Sequence, residues 1–205
     1  MIREVHVPGA EDFDDVESLL ALAASPGIRP GLERVRRLLE LLGNPQDDYP
    51  ALHVVGTNGK GSTCAFLESV LRAAGYRTAF YSSPHLESPG ERLLIAGRPL
   101  AADRWMAAVQ KTVDAVRGDS SLEADPPSYF EMVTAAAFCL ASEERADVAV
   151  VEAGLGGRLD ATNLLGDVVC SVVASISRDH SEYLGDTLEK LPRSEERRVG
   201  KECRS

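Results

Sequence analysis

Residues 52–62 read LHVVGTNGKGS, an apolar, β-leaning run that enters a glycine-rich turn and leads into a helix-forming stretch at 63–74. That order dictates a strand–loop–helix unit. It also makes a cradle for phosphate. Glycines let backbone N–H groups approach an anion closely, and the helix end adds partial positive charge. The cradle would consist of Gly56, Thr57, Asn58 and Gly59, followed by Lys60, Gly61, Ser62 and Thr63. Lys60 has the reach for terminal phosphates, and a nearby hydroxyl can face a metal ion. The spelling is G-x-x-G-K-G-S, shorter at the front than the common G-x-x-x-x-G-K-[ST] and with Gly61 between lysine and serine. A glycine turn without a ligand is the alternative that the residues leave open.

The rest of the chain sets this unit in an α/β fold. Residues 52–55, 78–82, 148–152 (VAVVE) and 168–175 (VVCSVVAS) read as strands, the last two as unbroken β-branched runs. Helices are expected at 16–24, 32–42, 63–74, 102–116 and 129–142, and a small hairpin at 93–100 around Gly97. Unbroken apolar strands separated by helices imply a mostly parallel sheet with helices on both faces. Ligands of such sheets bind beyond the carboxyl ends of the strands. Gly56, Ser83, Glu152 and His180 all follow or end strands there.

Composition narrows the function. The net charge is −10 without a basic stripe, which argues against nucleic acid as a partner. No apolar run approaches the ~20 residues that span a bilayer, so no membrane partner is expected. The acidic N-terminus lacks the apolar core of a secretory signal. Four cysteines without metal-ligand spacing suit a reduced, cytoplasmic setting.

Four stretches, GTNGKGS at 56–62, YSSPHL at 81–86, EAGLGGRLDATN at 152–163 and DHSEYLG at 179–185, resemble the Mur ligase superfamily. Gly61 after the lysine resembles its folate branch, the folylpolyglutamate synthase/dihydrofolate synthase enzymes. The resemblance covers about residues 19–191. It implies a P-loop, Mur-ligase-like ATP-binding domain in a ligase that uses ATP and Mg²⁺. Such a ligase adds L-glutamate to dihydropteroate or folate through an acyl phosphate. The implied partners are these small molecules, and the implied full-length protein is a monomer. The resemblance assigns metal binding to Ser83, Glu152 and His180, with Lys60, Glu152 and His180 as the catalytic groups. Hard oxygen donors of this kind suit Mg²⁺. The resemblance assigns the pteroate substrate to Arg29, Pro30 and Gly31, to Tyr129, Phe130 and Glu131, and to Leu159, Asp160 and Ala161.

Each residue has a plainer reading. Ser83 before Pro84 could shape a turn, and Glu152 could be a solvated or paired acid. His180 could be an ordinary loop histidine, Arg29 a solvated charge, and Tyr129–Phe130 helix packing. Two other functions also fit: a different Mur-type amino-acid ligase, which YSSPHL disfavours, and a nucleotide-binding module without catalysis.

Residues 193–205 break the pattern. RSEERRVGKECRS carries eight charged residues in thirteen and resembles the in-frame translation of a sequencing-library adapter. The resemblance leads one to expect a further α/β segment there, with an REKAG-like motif and its carbamylated lysine. The expectation is therefore a truncated ATP-binding domain over 1–192, itself inactive, and a non-native tail over 193–205.

Overall fold

The computed structural model describes residues 10–27, 29, 31–156 and 158–175. Pro30, His180 and the 193–205 tail fall outside the described residues. Six strands form one sheet: β1 (Ala51–Val55), β2 (Thr78–Tyr81), β3 (Leu93–Ile95), β4 (Arg98–Pro99), β5 (Val148–Glu152) and β6 (Val168–Val173). Their order is β4-β3-β2-β5-β1-β6. The four strands β2, β5, β1 and β6 run parallel, and the β3–β4 hairpin adds to β2 in the antiparallel sense. The expected hairpin is thus present and makes the sheet mixed. The α/β class and the mostly parallel sheet stand.

Helices cover both faces. On one face, α1 (Asp14–Ala23), α2 (Glu33–Leu41), α4 (Ala102–Arg117) and α6 (Tyr129–Glu143) share a core with Ala51, Ala79, Tyr81, Ala149 and Val151 of the sheet. On the other, Cys64, Leu67 and Leu71 of α3 (Lys60–Ala73) pack on Val54, Phe80, Val150 and Val172. β5 lies between β1 and β2, and all five of its residues are buried, as expected of an unbroken apolar strand inside a parallel sheet. Every residue from 131 to 141 is buried, so α6 is a core helix rather than an amphipathic surface one. Tyr81, inside this core, donates or accepts a 2.8 Å hydrogen bond with Thr134, and burial raises its pKa to about 12.

Two sequence readings need adjusting. The helix after the glycine loop starts at Lys60, three residues before the expected 63, with Gly59 as its cap at φ +79°. Lys60 and Gly61 therefore lie in the first helical turn, where free N–H groups point outward. A short helix, α5 (Ser120–Ala124), was not foreseen. Its signal was Asp119, whose carboxylate caps the Ser121 and Leu122 amides at 3.0 and 3.1 Å.

Candidate active site

The carboxyl ends of β1, β2 and β5 open on one side of the sheet, and the glycine loop lies there. Gly56 leaves β1 at φ +132°, and a Cβ at this position would stand 2.8 Å from the Ser175 carbonyl oxygen. Only glycine fits that close approach. Thr57 N–H donates to the same carbonyl at 2.6 Å, and Ser175 Oγ donates to Asn58 O at 2.9 Å. The loop is thereby pinned to the chain leaving β6. Lys60 Nζ donates to Thr57 O at 3.2 Å, which holds the ammonium over its own loop. Thr63 Oγ1 donates to Gly59 O at 2.8 Å.

Glu152, at the end of β5, faces this helix start. It is 7% exposed, and its Oε2 accepts the Ser83 N–H at 3.3 Å. A Cβ at Gly61 would lie 3.3 Å from the same oxygen, which gives a reason for glycine between Lys60 and Ser62. Burial raises the Glu152 pKa above the ordinary 4.5, and the Ser83 amide, Lys60 and the Gly61 amide only partly oppose it. The same carboxylate, after burial, contributes to pushing the Cys64 thiol up to about 12. Lys60, Gly61, Ser83 and Glu152, spread over 93 positions of sequence, thus meet at one point. The Ser83–Pro84 peptide is cis. Among the described residues, no three His, Cys, Asp or Glu side chains cluster as a self-sufficient metal cage.

The segments assigned to the pteroate substrate lie on the α6 side. Arg29 pairs with Asp125 at 2.5 Å and donates to Pro126 O at 3.4 Å. The Tyr129 hydroxyl donates to Glu17 Oε2 at 2.6 Å, and Arg92 sits 5.7 Å from the centre of its ring. Burial and Glu17 raise the Tyr129 pKa well above its usual value. Phe130 packs against Gly154, where a Cβ would come within 2.5 Å of the ring. Glu131 Oε2 accepts Ser128 N–H at 2.7 Å in a capping box at the start of α6. Asp160 is buried and heavily engaged: it accepts from Leu155 and Gly156 amides at 2.9 and 3.1 Å, from Thr162 N–H at 3.0 Å and from Thr162 Oγ1 at 2.6 Å. Ala161 is buried as well, whereas Leu159 is 54% exposed and free to touch a ligand.

Some polar residues that organise the site were not singled out from sequence. His53, in the middle of β1, bonds Thr162 Oγ1 at 2.8 Å and so ties the phosphate-loop strand to the Asp160 turn. Its signal was a polar residue inside an otherwise apolar strand. Arg92 joins Tyr129 to His85, donating from Nε to His85 Nδ1 at 2.9 Å, and burial together with Arg92 lowers the His85 pKa. Arg34 holds Glu131 and the Arg29 carbonyl.

No protein-family model matches the chain. It is 37% identical over 180 residues to the dihydrofolate synthase/folylpolyglutamate synthase of Bacillus subtilis, covering 87% of this chain and 42% of that protein. The fold superposes on Escherichia coli FolC, solved in complex with DHPP and ADP, with a TM-score of 0.81 and 39% identity over 92% of this chain and 44% of that one. It also superposes on Mycobacterium tuberculosis folylpolyglutamate synthase complexed with ADP, with a TM-score of 0.78 and 38% identity over 88% of this chain and 40% of that one. The chain thus spans less than half the length of the relatives it matches.

Proposed function

Because this chain is homologous over most of its length to the folylpolyglutamate/dihydrofolate synthases, we propose that it forms the nucleotide-binding part of an ATP-dependent ligase that joins L-glutamate to dihydropteroate or folate. The substrate carboxylate attacks the γ-phosphorus of ATP and ADP leaves, giving an acyl phosphate. The glutamate amine then attacks the acyl carbon and inorganic phosphate leaves, giving an amide. The chemistry needs charge stabilisation and alignment, not a covalent enzyme nucleophile. The observation that carries this reading is the meeting of Lys60, Glu152 and Ser83 at the first turn of α3.

In this reading Lys60 exchanges its contact with the Thr57 carbonyl for terminal phosphate oxygens. The amides of Gly59 and Lys60, at the helix start, would face the phosphates, while that of Gly61 is turned to the Glu152 carboxylate. The Glu152 carboxylate, buried and incompletely compensated, has the chemistry of a hard-cation ligand. Mg²⁺ keeps waters and takes phosphate oxygens, so a few protein ligands would complete its shell. Ser83 and Glu152 would hold that ion, with His180 assigned to it by resemblance. When bound, it offsets phosphate charge. Exposed Leu159 and the aromatic pair Tyr129–Phe130 would border the pterin, while Asp160 and Glu131 shape the walls. The setting proposed is a reducing cytoplasm. Among the described residues no helix is long and apolar enough to cross a membrane.

Titration calorimetry of the chain with ADP and with 7,8-dihydropteroate tests the binding half. ADP-release assays on the longer protein, with dihydropteroate plus glutamate against other carboxylate–amino acid pairs, test the chemistry. Binding of neither ligand would overturn the reading. ADP binding with no carboxylate-dependent turnover would leave a nucleotide-binding module instead.

A further inference from the structure

Arg29 and Glu131 are about a hundred residues apart, yet one guanidinium grips both. We infer that Arg34, on α2, is a positioning residue that holds the chain at Arg29 and Gly31 against the start of α6 and so fixes one wall of the pteroate pocket. The identity of the ligand rests on the proposed function, whereas the positioning rests on geometry alone.

Arg34 Nη2 donates to the Arg29 carbonyl at 2.8 Å and lies 3.4 Å from Glu131 Oε1. Its Nε donates to Glu131 Oε2 at 3.4 Å, and Nη1 faces Asp125 Oδ2 at 3.5 Å. A Cβ at Gly31 would stand 3.8 Å from both terminal nitrogens. The pair is shielded from water, with side-chain exposures of 12% for Arg34 and 5% for Glu131. Glu131 Oε1 is buried without a hydrogen bond of its own, so Arg34 supplies the cation that faces it. Around this contact the two segments are stitched by backbone: Ser25 N–H donates to Pro127 O at 2.9 Å, and Ser25 bridges Ser128.

A planar fork reaches acceptors lying in three directions, whereas an ammonium offers one point charge. Removing the fork would leave the Glu131 carboxylate buried and unpaired, which is the costly way to break such a pair. The start of α6 would then lose its fixed relation to Arg29. The phosphate loop, on the other face of the sheet edge, touches none of these groups.

The test compares Arg34→Met and Arg34→Lys with Arg37→Met in this chain. Arg37 is on the same helix and grips Asp119 at 3.0 and 2.8 Å, away from both segments. Amide hydrogen exchange and titration with 7,8-dihydropteroate and with ADP are read for each. For Arg34→Met the expected result is exchange at Ser25 and Ser128, whose amides donate to Pro127 O and Glu131 Oε2, faster by about tenfold and dihydropteroate binding weaker by about tenfold, the equivalent of one buried charged hydrogen bond. ADP binding should stay within about twofold, since no phosphate-loop contact changes. Arg34→Lys should recover part of the exchange protection, and Arg37→Met should move neither readout. Unchanged exchange at Ser25 and Ser128, an equal effect in Arg37→Met, or a parallel loss of ADP binding would overturn the inference. If Arg34→Met does not fold, the lysine variant decides by the same exchange readout. A parent chain that binds ADP but not dihydropteroate would refute the ligand, while the exchange comparison still decides the positioning.

Discussion

Lys60 is tethered only lightly, to a carbonyl of its own loop. Lys60→Ala should therefore leave the melting temperature nearly unchanged while lowering ADP release in the longer protein by about 10²–10³, the usual cost of one transition-state charge contact. A variant within about threefold of the parent would remove Lys60 from the mechanism. Glu152 carries a stability signature. Its folded-state pKa is raised, so the folded state holds the proton more tightly than the unfolded chain. The cost of its buried charge is absent below the ordinary 4.5, grows through the window up to the raised pKa and is complete above it. Stability falls as pH rises through that window. Glu152→Gln should flatten this fall, raise the melting temperature at pH 7 and lose the Mg²⁺ response of activity. Melting curves from pH 4 to 8 with a Mg²⁺ titration check both halves; an unaltered pH profile would contradict the burial argument. Sequence marked both residues, because glycine loops and strand ends are local signals. It could not show that they meet, since that depends on β5 entering between β1 and β2.

The elements were largely legible where hydrophobic period decides them. VAVVE became β5 with its expected bounds, and the helix expected at 129–142 runs from Tyr129 to Glu143, its start fixed by a capping box of Ser128 and Glu131. The start of α3 was misplaced because Gly59, Lys60 and Gly61 carry no apolar signal, and the helix there begins on a left-handed glycine instead. The capping box has a functional side, for it orients the turn that bears Tyr129, Phe130 and Glu131. Ser128→Ala should cost about 1 kcal/mol of stability. It should weaken dihydropteroate binding more than ADP binding, because the glycine loop starts a different helix. Denaturant melts and the two titrations check this; equal losses for both ligands would place the effect in global stability.

Across the whole molecule the two ligands are assigned to opposite ends of one mechanical path. Strand β1 leads into the phosphate loop at Gly56 and grips Thr162 through His53, and Thr162 in turn bonds Asp160 in the turn beside the pterin assignment. None of this coupling was readable from sequence, as His53 and Thr162 are 109 residues apart. ADP that binds only the folded chain stabilises it by about 2.7 kcal/mol at a hundred times its dissociation constant. For a chain of this size that is a rise in melting temperature of roughly 5–10 °C. Absence of any shift at saturating ADP would refute the nucleotide site. The tight fit of Gly61 against Glu152 also bears on evolution. Adding even a methyl group at 61 crowds the carboxylate at 152, so the two positions form an epistatic pair. A side chain at 61 requires the Glu152 carboxylate to give way by a few tenths of an ångström, so what position 61 tolerates is set by a neighbour ninety-one residues away.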